Sequence, residues 1–430
     1  MKRYIIIIVG IIFLMNLCTM GINSIAEDEE FGSLVEVGDL NEGRYNHTAT
    51  LLDDGRMLVC GGTGDGKTSL SSGETFDPKT EKWTSTNDMQ EPRMRHTSTL
   101  LNSGEVLVAG GYNGNGYGYP SLYKHFNGTG NLSLSSCEIF DPTENTFSLA
   151  QPLNTGRFWH RSVKLQDGRV LVIGGLNITH GVLSSCEIYD PNLGKWSEVS
   201  PMNQARARFT ATLLTNGSVL VIGGHNGIEK IPYSSCEVYV PEKNMWFDVA
   251  PMNRPRGYHS AVQMADGKVF VSGGFSSPTT PDWSDAEIYN PFNNTWIFTN
   301  NMSLPRHNHE SALLPNKEII IFGGSNCYTG GAHSGIEYYN PEEGRWHDTY
   351  LVMLGLKWAE VTSFKDGKVL ISGGMTCIDA SNIAYIYTPP QEEDKGSSLI
   401  PGFEGVTLIC AIILSFSLIN YLGKKQKKQV

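Results

Sequence analysis

The stretch DGRVLVIGGLNITHGVLSSCEIYDPNLGKWSEVSPMNQAR, residues 167–206, decides the fold. It opens with an Asp-Gly pair, which favours a tight hairpin turn because both turn residues need positive φ. A hydrophobic run then ends at the doublet Gly174-Gly175, EIYDP reads as a further strand that ends at its proline, and Trp196 opens another strand. With the alternating stretch before the turn, these segments predict a four-stranded antiparallel sheet, whose strands we call a to d in chain order.

The glycine doublet recurs along the chain at a nearly constant interval. Six intervals separate seven doublets, and all are 49 or 50 residues except one of 64. The doublets are Gly61-Gly62, Gly110-Gly111, Gly174-Gly175, Gly223-Gly224, Gly273-Gly274, Gly323-Gly324 and Gly373-Gly374. A fixed period of this length indicates one supersecondary unit that is copied along the chain.

Aromatic markers accompany the doublets. The strand after each doublet reads EIFDP, EIYDP, EVYVP, EIYNP or EYYNP in five copies, and strand d opens on an aromatic residue. Those residues are Trp83, Phe147, Trp196, Trp246, Trp296 and Trp346. Four short strands with periodic glycine and aromatic landmarks are typical of a propeller blade. The pattern resembles the kelch repeat over roughly residues 33–389, and this resemblance implies an all-β, seven-bladed kelch β-propeller.

The first strand of the repeat region has no blade of its own. No tryptophan strand follows the last strand c, YIYTPP at 385–390, whereas LVEVGDLNEGR at 34–44 aligns without gaps on WSEVSPMNQAR at 196–206. Leu34 takes the position of Trp196. We therefore expect the N-terminal strand to complete the seventh blade, which closes the ring and leaves no free inner edge.

Both ends of the chain carry targeting signals. Lys2 and Arg3, an apolar run and a small-x-small site ending at Ala26 predict a signal peptide over 1–26, with an uncleaved anchor as the alternative. The apolar residues 405–422 would cross about 27 Å as a helix. The sequence thus predicts a propeller over 27–389, a polar stalk over 390–404, a transmembrane helix over 405–423 and a basic cytoplasmic tail over 424–430. The expected location is the cell membrane, with a single span and the propeller outside.

Pro401-Gly402-Phe403 stands directly before the predicted span. It resembles the Pro-Gly-Phe sorting signal of archaeal surface proteins, and this resemblance implies that the tail is cut and exchanged for a lipid. An ordinary single-pass anchor is the alternative.

The charge of the predicted ectodomain excludes one class of partner. Without the signal and the tail, 27 basic and 44 acidic residues remain, a net charge of −17. Such a surface repels nucleic acid, so we expect no nucleic-acid partner. Seven Asn-x-Ser/Thr triplets are compatible with extracellular glycosylation. They begin at Asn46, Asn127, Asn131, Asn177, Asn216, Asn293 and Asn301.

The cysteine pattern favours buried thiols. Cys137, Cys186 and Cys236 hold one position in three adjacent blades, and equivalent sites in neighbouring strands c should be over ~10 Å apart. A disulfide needs Cα atoms within about 7 Å, so we expect three buried thiols. Cys327 and Cys377, each three residues past a doublet, form the one candidate disulfide. No spacing suggests a zinc site, and no metal or other cofactor is expected.

The loops that join strand b to c and strand d to a emerge on the same face and vary most, so we expect function there. The b–c loop of the second blade, 112–133, places Tyr112, Tyr117, Tyr119, Tyr123 and His125 among glycines, and other b–c loops add His225 and Trp283. Exposed rings of this type stack on sugars or on a partner's apolar side chains. A loop that only carries glycans at Asn127 and Asn131 is the alternative.

Six arginines, each 17 residues before its doublet, allow two interpretations. Arg44, Arg93, Arg157, Arg206, Arg256 and Arg306 start the innermost strands. They could surround the channel mouth as an anion site, or each could pair with a glutamate that starts strand c of its own blade. The glutamates are Glu74, Glu138, Glu187, Glu237, Glu287 and Glu337. Blade 7 has Leu356 and Tyr385 instead, so both partners vanish together, which favours pairing. Histidines 47, 96, 160, 259 and 309, three residues after an arginine, are expected to pack between blades.

Three functions fit this sequence. The first is a membrane-anchored extracellular module that binds a glycan or protein partner through the b–c/d–a face. The second is a carbohydrate-active enzyme, because galactose-oxidase-like copper enzymes and sialic acid mutarotases use the kelch fold, although no histidine here stands in a recognisable copper pattern. The third is a structural component of the cell envelope.

Overall fold

The computed structural model describes residues 26–28, 31–114, 132–227, 231–277, 281–326 and 331–390. The predicted signal peptide, stalk, span and basic tail lie outside these residues, apart from a few residues at their borders. All regular elements in the described part are β-strands, and no helix there has the length and hydropathy to cross a membrane.

Seven four-stranded antiparallel units form the blades of a propeller. Strand a spans Thr48–Leu51, Thr97–Leu100, Arg161–Lys164, Thr210–Leu213, Ser260–Gln263, His307–Leu313 and Glu360–Ser363. Strand b spans Met57–Cys60, Val106–Ala109, Val170–Ile173, Val219–Ile222, Val269–Ser272, Ile319–Ser325 and Val369–Ser372. Strand c spans Gly73–Asp77, Cys137–Asp141, Cys186–Asp190, Cys236–Val240, Ala286–Asn290, Gly335–Asn340 and Ala384–Thr388.

Strand d lies at the outside of each blade. It spans Lys82–Ser85, Thr146–Ala150, Lys195–Val199, Met245–Val249, Thr295–Phe298 and Arg345–Val352 in blades 1 to 6, and Gly32–Val37 in blade 7. Two short additions complete the strands: Ala26–Asp28 pairs with Gly32–Val37, and Leu176–Asn177 pairs with Gly181–Val182 in the b–c loop of blade 3.

The N-terminal strand closes the ring as the sequence predicts. Gly32–Val37 pairs antiparallel with Ala384–Thr388, and Leu34 lies opposite Tyr387. In blade 3 the equivalent pair is Trp196 opposite Tyr189. The register is therefore the same in both blades, and the predicted position of Leu34 is confirmed.

Strand b carries the core. Because each blade is covered by a neighbour on both faces, strand b is an almost continuous apolar run, as in MLVC and VLVI, and all of its residues are buried. The apolar clusters accordingly combine residues of adjacent blades. One cluster joins Val59 and Phe76 of blade 1 to Leu370 and Ile386 of blade 7.

The glycine doublets let neighbouring blades approach closely. The second glycine of each doublet donates its backbone N–H to a carbonyl oxygen in the next blade, at the position of the repeated arginine. Distances run from 2.8 to 3.0 Å, and the last bond, from Gly374 to Arg44, links blade 7 to blade 1. A Cβ atom on Gly61 would lie 2.4 Å from the carbonyl oxygen of Arg93, and Gly61 has φ +65°. Glycine is needed here for both reasons.

Candidate ligand site at the channel mouth

The six repeated arginines are buried side chains that pair within their own blades. In blade 4, Arg206 Nη2 lies 2.7 Å from Glu237 Oε1, and both side chains are almost completely buried. The same pair occurs in the other five blades as Arg44–Glu74, Arg93–Glu138, Arg157–Glu187, Arg256–Glu287 and Arg306–Glu337. The pairing interpretation is confirmed. The alternative, an anion site made by these guanidinium groups, is wrong because they are not accessible.

Each pair acts as a clamp on the loop that leads into strand a. Arg206 Nη1 donates to the carbonyl oxygen of Gly223 at 2.7 Å, at the end of strand b. Glu237 Oε2 accepts the backbone N–H of Asn203 at 2.6 Å, in the d–a loop. The clamp therefore joins the loop, strand b and strand c, and it fixes the backbone just before the channel mouth.

Seven residues, one from each blade, form the channel mouth. Each stands two positions after the clamp arginine or its blade 7 equivalent, and each has φ between 53° and 58°. They are Asn46, Arg95, Trp159, Arg208, Tyr258, Asn308 and Trp358. Left-handed backbone is uncommon for residues with bulky side chains and is found at ligand clamps when the surrounding structure enforces it.

Backbone hydrogen bonds enforce this conformation around the mouth. The N–H of Arg95 donates to the carbonyl oxygen of Asn46 at 2.9 Å, and that of Trp159 donates to Arg95 at 3.1 Å. The same bond continues from blade to blade as far as Trp358, at distances up to 3.4 Å. One series of backbone hydrogen bonds thus runs around the mouth from Asn46 to Trp358, and the side chains are free to differ between blades.

The side chains of blades 2 to 5 form a stack of cations and aromatic rings. The Arg208 guanidinium carbon lies 3.5 Å from the Trp159 ring centroid and 4.0 Å from that of Tyr258. Arg95 covers Trp159 at 4.3 Å. Such contacts contribute about 0.5–2 kcal/mol each, depending on how far they are desolvated. They hold two guanidinium groups beside a partly exposed tryptophan.

Below the mouth, the channel encloses a cavity of about 300 Å³. Arg161, Glu310 and Glu360 line it, together with the starts of strand a in blades 1 and 2. Burial raises the pKa of Glu310 to about 7. Burial, and then the charge of Glu310, raises the pKa of Glu360 to about 8, while the charge of Arg161 acts against both shifts. Both carboxyl groups therefore keep their protons to a higher pH than an ordinary glutamate does.

The repeated histidines pack between blades as predicted. His96 Nε2 lies 3.0 Å from Thr48 Oγ1, and His160 Nε2 lies 3.0 Å from Thr97 Oγ1, each in the preceding blade. Burial, followed by the charge of the nearby clamp arginine, lowers the pKa of His160 to about 3. These imidazoles are neutral at physiological pH and serve the interface between blades.

Two of the predicted ligand residues in the b–c loops are buried, which corrects that expectation. Tyr112 is 6% exposed and packs against Phe158 with ring centroids 5.2 Å apart. His225 is 2% exposed, and its ring lies 5.3 Å from that of Tyr258, so it packs against the mouth. Trp283 is partly exposed, and the guanidinium of Arg254 lies 4.3 Å from its ring. The remaining residues of the predicted aromatic loop, Tyr117, Tyr119, Tyr123 and His125, lie outside the described residues.

The sequons differ in accessibility. Asn177 is buried, and its Nδ2 donates to the carbonyl oxygen of Gly156 at 2.6 Å, so glycosylation there conflicts with the folded structure. Asn216, Asn293 and Asn301 are exposed, and Asn46 is partly exposed at the mouth. Asn127 and Asn131 lie outside the described residues, and glycosylation of the accessible sites stays a prediction.

The cysteines of strand c are buried thiols. Cys137, Cys186 and Cys236 are at most 2% exposed, and burial raises the pKa of Cys137 to about 11. This confirms the expectation for these three. Cys377 is exposed, whereas Cys327 lies outside the described residues, so their disulfide stays a prediction.

The residues that line the mouth and the channel were missed by sequence reasoning. Their side chains vary from blade to blade, and a search for repeated residues passes over them. The signal that could have found them is the fixed spacing: two positions after the clamp arginine for the mouth, and four positions for Arg161, Glu310 and Glu360. In the part of the chain that the structure describes, no group of three or more His, Cys, Asp or Glu side chains is placed to hold a metal ion.

Seven four-stranded sheets form a closed ring, and glycine, arginine and tryptophan recur at fixed positions in them. These features define a β-propeller built from kelch repeats. The chain belongs to the family described as the KLHDC2/KLHL20/DRC7 Kelch-repeats domain, which matches residues 25–224 and 159–374. Kelch domains generally mediate protein–protein interaction. No curated protein sequence matches the chain.

Two solved structures show the same fold at low sequence identity. One is a novel fungal alcohol oxidase of the AA5 family in complex with copper, with a TM-score of 0.63 and 16% identity over 84% of this chain and 76% of the oxidase. The other is YjhT, with a TM-score of 0.54 and 15% identity over 73% of this chain and 99% of YjhT. At these identities the likeness concerns the fold alone.

Proposed function

We propose that the chain is a membrane-anchored, extracellular kelch propeller that binds a glycan or a protein partner through its b–c/d–a face. The signal peptide and the C-terminal span predicted from the sequence support the location. Membership of the kelch family supports a role in interaction. The partner is extracellular, and the negative charge of the propeller disfavours nucleic acid.

The cation–aromatic stack at the mouth carries this proposal. Trp159 lies between Arg95 and Arg208, and all three belong to a ring held in left-handed backbone. Packing alone does not require these residues, because the same position is asparagine in blades 1 and 6. Aromatic faces beside guanidinium groups suit sugar rings that carry anionic substituents, and they also suit a peptide with acidic or aromatic side chains.

A binding experiment on the full-length chain tests the proposal. The protein is applied to an array of extracellular glycans and, in parallel, cross-linked to partners on intact cells. Trp159→Ala should weaken the strongest signal at least about fivefold, because it removes a stacking surface and two cation–π contacts.

The matched control for this experiment is Phe292→Ala. Phe292 is 74% exposed in a c–d turn on the opposite face. This variant should bind like the parent chain. Equal binding by the parent and Trp159→Ala, or equal losses in both variants, would count against the mouth as the binding site.

A carbohydrate-active enzyme is the second candidate, and the channel carboxyls favour it. Glu310 and Glu360 have pKa values of about 7 and 8, a range in which a carboxyl group can both donate and accept a proton. Acceleration of sialic acid anomer exchange by the full chain, followed by NMR and lost in Glu360→Gln, would support this candidate over a pure binding module.

A further inference from the structure

The residue four positions after the clamp arginine can be compared between the seven blades. Four blades place threonine or serine four positions after the clamp arginine, at Thr48, Thr97, Thr210 and Ser260. The three threonines each lie 2.9 to 3.0 Å from a histidine of the next blade, so their role is to join blades. Blades 3, 6 and 7 replace this residue with Arg161, Glu310 and Glu360.

The three charged residues do not make the threonine contact. The blade after Arg161 has Phe209 in place of the histidine, and the blade after Glu310 has Ala359. The blade after Glu360 keeps His47, but the Nε2 of this histidine lies 3.4 Å from Ser372 Oγ. Arg161 instead donates its Nε to the carbonyl oxygen of Phe209 at 2.9 Å, and its side chain is exposed to the channel. Arg161, Glu310 and Glu360 therefore take no part in the contact between blades that threonine makes at this position.

The charges are arranged on opposite sides of the channel. Adjacent strands a contact one another around a closed ring of seven, so the position opposite blade 3 lies between blades 6 and 7. Arg161 belongs to blade 3, and Glu310 and Glu360 belong to blades 6 and 7. Arg95 and Arg208, in blades 2 and 4, stand above Arg161 at the mouth. One side of the channel is thus cationic and the other is acidic.

A gap separates the two sides. Although the charge of Arg161 acts on both carboxyl groups, no ion pair within 4.0 Å joins it to either one among the described residues. The space between them is part of the cavity of about 300 Å³. A cavity of this size lies at the lower end of the range for small-molecule sites.

We propose that the channel binds a small zwitterion, whose carboxylate meets Arg161 on the blade 3 side and whose ammonium group meets Glu310 and Glu360 on the opposite side. The ligand class comprises amino acids, short peptides with both ends free, and amino sugar acids. Both ends of such a ligand make charge-assisted hydrogen bonds, which are stronger than neutral ones. This inference rests on the proposed function, because it names the chemistry recognised below the mouth.

A set of four matched dipeptides tests the inference on the full-length chain by isothermal titration calorimetry. The ligands are Ala-Ala, its N-acetyl form, its C-terminal amide and the form with both ends blocked. Ala-Ala should bind, and blocking either end should weaken binding at least about tenfold, because each block removes one charged contact.

Variants of the chain assign each end of the ligand to its residues. In Glu310→Gln/Glu360→Gln, Ala-Ala and its N-acetyl form should bind equally. In Arg161→Gln, Ala-Ala and its amide should bind equally. Lys268→Gln, in an exposed a–b turn on the opposite face, is the control and should retain the full preference.

Muramic acid and N-acetylmuramic acid repeat the comparison with a sugar. Preference for muramic acid alone identifies an amino sugar acid, and preference for Ala-Ala alone identifies a short free peptide; either result supports the inference. If neither zwitterion binds, or blocked and free forms bind equally, the inference is wrong. Array or cell binding that depends on Trp159 would then still support the proposed function.

Discussion

Blades 4 and 7 place different side chains at the same two positions of the repeat. Blade 4 has the buried pair Arg206–Glu237, whereas blade 7 has Leu356 and Tyr385. The backbone contacts are nevertheless the same, since Gly324 donates to the carbonyl oxygen of Leu356 at 2.8 Å as Gly175 donates to that of Arg206 at 3.0 Å.

The tyrosine of blade 7 also takes over part of the role of the glutamate. Tyr385 Oη accepts the N–H of Leu354 at 3.1 Å, just as Glu237 Oε1 accepts the N–H of Gln204 at 3.1 Å. The glycine doublets and the backbone hydrogen bonds therefore specify the blade. The buried charge pair is one of two ways to fill the same space, as expected if desolvation offsets much of its Coulomb energy.

Breaking one clamp should have the largest effect. Glu237→Ala leaves the Arg206 guanidinium buried without its carboxylate, so the free energy of unfolding should fall by about 3–5 kcal/mol. The double variant Arg206→Leu/Glu237→Tyr copies blade 7 into blade 4 and should recover most of this loss. Urea unfolding followed by tryptophan fluorescence measures both.

The control for the clamp is an exposed ion pair. Asp167→Ala, which removes the partner of Arg169 in a surface turn, should cost less than about 1 kcal/mol. A Glu237→Ala variant as stable as this control, or a double variant less stable than the single one, would contradict the equivalence of the two blades.

The carboxyl groups of Glu310 and Glu360, which have no arginine partner of the clamp type, should make the stability of the protein depend on pH. Folding raises the pKa of Glu310 and Glu360 from 4.5 to about 7 and about 8, so the folded protein holds protons that the unfolded chain has lost. Their contribution to stability is complete below pH 4.5 and is lost as the pH rises through 7 to 8.

The double variant Glu310→Gln/Glu360→Gln should not show this loss of stability at higher pH. Relative to the variant, the parent chain should become less stable between pH 5 and 8.5, by an amount on the order of a few kcal/mol. The buried histidines are present in both proteins and cancel in the difference. A difference that stays constant with pH would show that the two carboxyls titrate normally.

Tyr385→Phe should have the smallest effect. It removes the acceptor of the Leu354 N–H and should cost about 1 kcal/mol, with faster hydrogen exchange at that amide. Tyr289→Phe is the control, because it removes a hydrogen bond to Asn294 Oδ1 at 3.0 Å in a c–d turn. It should leave the Leu354 amide protected, and equal exchange in all three proteins would remove the assigned role of Tyr385.

The features that repeat from blade to blade could be predicted from the sequence. The strands, the closure through Leu34 and the pairing of Arg206 with Glu237 all depend on residues that recur or vanish together, and the structure confirms them. The ligand side chains at the mouth could not be predicted in this way. Trp159 and Arg208 share only a position in the repeat, and their contact depends on how the adjacent blades 3 and 4 pack around the channel. Tyr112 misled the prediction because an aromatic loop residue can equally pack inward.

The pairing of Gly32–Val37 with Ala384–Thr388 has a consequence for how the protein is made. The outer strand of the last blade leaves the ribosome before the other strands of the seven blades, and its partner leaves after more than 300 further residues. Throughout synthesis, the nascent chain exposes unpaired strand edges at both ends, which are templates for aggregation. We therefore expect the ring to close only after Thr388 has left the ribosome, and a product truncated before that residue should be a target for quality-control proteases.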